Sequence, residues 1–74
     1  MKPYSLFIEY SESRQGGNHK MPPLLVMTST EEDACAAAGA VADFAYKAFG
    51  HHILIRIVGE GPHPVGELRR PRED

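Results

Sequence analysis

The residues of this chain that could do chemistry are one cysteine, four histidines, a run of acids and a scatter of arginines. A zinc site needs three or four nitrogen, sulfur or oxygen ligands converging at fixed spacing. Cys35, His19, His51, His52 and His63 show no such spacing. His51 and His52 are adjacent, so on a strand they point to opposite faces and do not easily chelate together. A metal-dependent enzyme therefore requires the fold to bring His51 or His52 to Cys35 or another histidine, and the expectation is no metal and no cofactor. Cys35 stands where a helix dipole can activate a thiol, yet no histidine or second cysteine is near it in sequence, so a buried small hydrophobe is expected. Glu31, Glu32 and Asp33 diverge by about 100° each on a helix, which suits dipole complementation better than a carboxylate pair. There is no nucleophile elbow, phosphate-cradling glycine loop or dinucleotide fingerprint. The reading is a protein without catalytic residues, not an enzyme.

Arg14, Lys20 and Arg56, with Arg69, Arg70 and Arg72, would form a basic strip for a phosphate backbone if the fold gathered them. Against this, 10 acids outnumber 8 bases, the formal charge is −2, and no aromatic-studded RNA-recognition strand is present. Nucleic-acid binding through loop and tail arginines stands as the alternative function. The preferred reading of these bases is a solvated loop and tail.

A chain of 74 residues makes one small domain whose core is marginal without idealised packing or a partner. Its 42% hydrophobic and 24% charged content is that of an ordinary soluble domain. One cysteine excludes an internal disulfide. Met1-Lys2-Pro3-Tyr4 runs straight into a strand pattern with no long apolar run behind it, so neither a signal peptide nor a membrane partner is expected, and the expected compartment is cytoplasmic.

Positioning falls to one helix. Ser29 with Glu32 has capping-box spacing, Thr30 with Asp33 offers the next register, and Gly50 suits a left-handed residue that ends the helix. Residues 4–12 alternate as a strand, residues 13–23 break into a loop, and residues 24–28 are a short apolar strand. Residues 53–58 form a β-branched strand. Residues 65–68 are a possible short edge strand. The domain is expected over 1–68, with 69–74 a flexible basic tail. The fold class is α+β in the order β-β-α-β: one long helix on a three-stranded, mainly antiparallel sheet, strand order 2-1-3 with the longest strand central.

Helical periodicity puts Ala34, Ala37, Ala38, Val41, Phe44, Ala45, Ala48 and Phe49 towards the sheet, with Cys35 and Ala42 flanking. Phe44→Ala is then expected to cost about 3–5 kcal/mol. The outer helix face carries Ala36, Gly39 and Ala40, small enough for a second helix to approach. The sheet face away from the helix carries Phe7, Leu54, Arg56 and Val58, near the loop bearing Arg14 and Lys20. An uncovered semi-apolar face marks a protein-binding surface for a target, or a homodimer contact; the competing expectation is that Val65 and Leu68 fold back over it.

Element order across residues 4–58, with Thr30-Glu31-Glu32-Asp33-Ala34 at the helix start, resembles several small phage and mobile-element proteins, among them type I anti-CRISPR inhibitors. HicB-like antitoxins share part of the pattern. The resemblance implies a non-enzymatic protein that blocks a larger nucleic-acid-handling complex by surface contact. No family site maps residue by residue, and inhibitors that mimic DNA are far more acidic than this chain.

Overall fold

A computed structural model of the chain describes residues 1–11, 19–49 and 52–70. Its elements are β1 (Lys2–Ser11), β2 (His19–Lys20), β3 (Leu24–Thr28), α1 (Glu31–Phe49), β4 (His52–Val58) and β5 (Gly66–Arg70). One helix lies on a five-stranded sheet in which every pairing is antiparallel. The α+β class stands, and β3, β1 and β4 are neighbours in that order. The sheet is nonetheless larger than the expected three strands. β5 adds to the far side of β4, and β2 adds to β1 on the same side as β3.

β2 and β3 are two pieces of one interrupted edge. Leu6 faces Leu24 and Glu9 faces Lys20, so two residues of β1 lie opposite three, Met21, Pro22 and Pro23. One extra residue on one strand is a bulge. The prolines cannot donate to a ladder, and Met21 N–H still donates to Ile8 C=O at 3.0 Å. β2 thus falls inside residues 13–23, which by sequence present as loop throughout. β5 runs through Arg69 and Arg70, placed in the tail by sequence. Gly50, His51, Arg14, Arg72 and the rest of 12–18 and 71–74 lie outside the described residues, as does the side chain of Phe49.

Alternation along β1 and β4 fixes the two faces. Tyr4, Leu6, Ile8, Ile53, Ile55 and Ile57 are buried against the helix. The helix contributes Ala34, Ala38, Ala42 and Ala45, its buried positions. An alanine stripe lets the helix axis come close to the sheet, and the isoleucines supply the volume. The stripe is rotated from the expected one. Ala42 is buried, whereas Ala48 is exposed and Phe44 is 71% exposed. The rotation follows from β5: Cys35 faces Gly66, where a Cβ would stand 3.3 Å from its sulfur, and Asp43 and Tyr46 reach Arg70. A strand on that side draws the helix round towards it. Cys35, expected to be buried, touches β5 yet remains exposed.

The helix begins in the second of the two registers read from sequence. Asp33 N–H donates to Thr30 Oγ1 at 3.1 Å, and Ala34 N–H to Thr30 C=O at 3.2 Å, so Thr30 is the N-cap rather than Ser29. Thr28 Oγ1 donates to Thr30 C=O at 2.8 Å, which ties the end of β3 to the cap. Three acids occupy the first turn.

Candidate functional site

The sheet face away from the helix gathers most of the chain's candidate residues. By strand parity it carries Pro3, Ser5, Phe7 and Glu9 of β1, Leu25 and Met27 of β3, and Lys20 of β2. β4 gives it His52, Leu54, Arg56 and Val58, and β5 gives Glu67 and Arg69. Of the residues expected there, Phe7, Lys20 and Arg56 are exposed and Leu54 and Val58 are half-buried; Arg14 lies outside the described residues. β5 extends the sheet sideways, and Leu68 sits opposite Ile55 on the helix side, so Val65 and Leu68 do not fold back over the open face.

The face has two halves. One is apolar and shallow: Leu25 faces Ser5, which faces Val58, so the small serine lies between two hydrophobic side chains. Phe7 and Met27, 42% and 51% exposed, stand beside them. The other half is a row of alternating charges crossing four strands, Lys20, Glu9, Arg56, Glu67 and Arg69. Lys20 Nζ lies 4.0 Å from Glu9 Oε1, and Arg56 Nη1 lies 3.8 Å from Glu9 Oε2. Arg56 Nε lies 3.7 Å from Glu67 Oε2, and Arg69 Nε donates to Glu67 Oε1 at 3.0 Å. The three contacts between neighbouring strands support the pairing by a few tenths of a kcal/mol to about 1 kcal/mol each, while Arg69 and Glu67 lie on the same strand. The Glu9 side chain, 12% exposed, is the anchor of the row. Sequence reading missed Glu67, because its position follows from the β4–β5 register; a period of two along residues 66–70 is the signal that could have found it.

The second expected surface is weaker. Ala36 and Ala40 are exposed, while Gly39 is half-buried with open space where a Cβ would stand. The described chemistry-bearing residues are spread apart. His19 stacks on Tyr10 with centroids 5.1 Å apart, and His52 is on the open face while Cys35 is on the helix side, with the sheet between them. Among the described residues no three His, Cys, Asp or Glu side chains converge as metal ligands. A pocket of about 190 Å³ lies between Lys2, Tyr4, Glu31, Glu60 and Val65. That is smaller than the roughly 300 Å³ at which ligand sites begin. No helix among the described residues is long and apolar enough to cross a membrane.

Compared with protein-family models, curated proteins and solved structures, the chain matches none.

Proposed function

We propose that this protein is a non-enzymatic binding module that docks a protein target on the open sheet face. The observation that carries the reading is the pairing of an exposed apolar patch, Phe7, Leu25 and Met27, with a neighbouring row of charges already matched to one another. Interfaces of this kind place aromatic and methionine side chains at the centre and polar groups at the rim. Phe7 is the anchor, and Arg56, Leu54, Val58 and Lys20 form its surroundings. In the phage-type inhibitors that the element order resembles, such contact blocks a larger nucleic-acid-handling complex, and that is the action proposed here.

The same row weighs against nucleic-acid binding. Arg56, Arg69 and Lys20 face Glu9 and Glu67, and Arg70 faces Asp43 at 3.4 Å. Phosphate contacts would have to displace these carboxylates. The test uses Phe7→Glu as the probe. Affinity capture from the native host is expected to recover a protein that Phe7→Glu loses and Phe44→Ser keeps. Tight, steeply salt-dependent binding to labelled DNA or RNA that Phe7→Glu leaves unchanged would instead establish the nucleic-acid reading.

A further inference from the structure

The described residues have seven exposed large hydrophobic side chains, and four of them, Met21, Leu24, Leu25 and Met27, lie on or beside one sheet edge. A fifth, Phe44, is exposed on the helix. Phe44 follows Cys35 by nine residues, two and a half helical turns, so it projects from the opposite flank. Cys35 faces β5, and the helix also contacts β3; Phe44 therefore stands on the β3 side.

The edge itself is chemically unfinished. β3 pairs with β1 on one side and with no described strand on the other. Half of its backbone N–H and C=O groups therefore point outward, a template for another strand. Natural edges are blunted by charge, proline or an inward-pointing lysine. Leu24-Leu25-Val26-Met27-Thr28 has no charge and no proline within it; the bulge with Pro22 and Pro23 and the Lys20 of β2 blunt only the neighbouring end, and stop any partner from extending past Leu24.

We infer that the occupant of this edge is a second copy of the chain, paired antiparallel through β3 about a two-fold axis at Val26. This register is self-complementary. It sets Leu25 opposite Met27 of the second copy on the open face. On the helix face it sets Leu24 opposite Thr28 of the second copy, with the two valines facing at the axis. No charge meets a like charge, because the strand has none. A two-fold normal to the sheet keeps both helices on one side of the joint. The two open faces merge into one ten-stranded surface. An isologous pairing of this sort needs only one patch and closes at two copies.

The test is sedimentation of the full chain at tens of micromolar with three variants. The unaltered chain is expected at twice its 8.2 kDa. Leu25→Lys with Met27→Lys sets like charges across both symmetric pairs and is expected to raise the dissociation constant roughly tenfold or more. Leu25→Lys with Met27→Glu sets opposite charges there and is expected to restore association. Both positions are largely exposed, so the folded state, checked by circular dichroism, is kept. Phe7→Glu, on the open face of the neighbouring strand, is expected to leave the dimer intact. A monomeric unaltered chain, equal dissociation constants for the two double variants, or separation by Phe7→Glu alone would each overturn the inference.

Discussion

One edge of this sheet is β5 and the other is the interrupted pair of β2 and β3; the five-residue strands β5 and β3 behave as opposites. β5 is Gly-Glu-Leu-Arg-Arg, three charges in five residues; β3 is Leu-Leu-Val-Met-Thr, with none. On the β5 side the helix is tied down. Arg70 pairs with Asp43 and lies 4.8 Å from the Tyr46 ring centroid, a cation–π contact, and Gly66 lets Cys35 settle against the strand. On the β3 side the helix presents Phe44 to solvent, and Leu25 is 63% exposed. One edge is closed by its own charges and its own helix. The other, along β3, has apolar side chains on both faces and no second partner among the described strands. A small domain with an alanine stripe cannot cover both sides of its sheet with one helix, so a helix drawn towards β5 leaves β3 uncovered.

Three substitutions sharpen this contrast. The largest effect is expected at the floor the two edges share: Ile55→Ala, at a fully buried position, should cost about 2–5 kcal/mol. In so small a domain that is most of the stability, and urea unfolding should show a midpoint collapsed towards zero. Next comes the closed edge. At Gly66 a Cβ would meet both Cys35 Sγ and Ile57 Cδ1 at 3.3 Å. Gly66→Val should therefore cost about 1–3 kcal/mol by overpacking and loosen β5 first, seen as faster amide exchange at Leu68 than at Ile8. The smallest effect is expected on the open side. Phe44→Ala, measured at dilution where copies do not meet, should change stability by no more than about 0.5 kcal/mol, as for an exposed residue. A loss near the roughly 3–5 kcal/mol of a buried phenylalanine would mean that the helix sits with Phe44 inward and the contrast between the edges is false.

Much of the architecture is legible residue by residue. Period-two alternation in β1 and β4 places Leu6, Ile8, Ile53, Ile55 and Ile57 on one face, and that face is the buried one. The helix is marked by its acidic start and its alanine-rich run, although two capping registers, Ser29 and Thr30, have equally good spacing. Phe7, Leu54, Arg56 and Val58 share a face for the same reason of parity. The stripe on the helix is where the reading fails. Eight alanines and a glycine among its 19 residues give periodicity little to hold, because a small residue fits a close contact and an open surface equally well. Hydrophobicity alone points Phe44 inward, and hydrophobic residues are not obliged to be inside.

The types of β1, β3, α1 and β4, the helix between two strands and the division of β1 and β4 into inner and outer residues follow from the amino-acid order, since they depend on periodicities intrinsic to the backbone. The rotation of the helix, the bulge that lets Lys20 reach Glu9 and the membership of Glu67 in the charge row emerge only once the chain has folded. Those features depend on strand register between segments far apart in the chain. Register is set by which side chains meet across the sheet, a relation between residues that no single stretch contains.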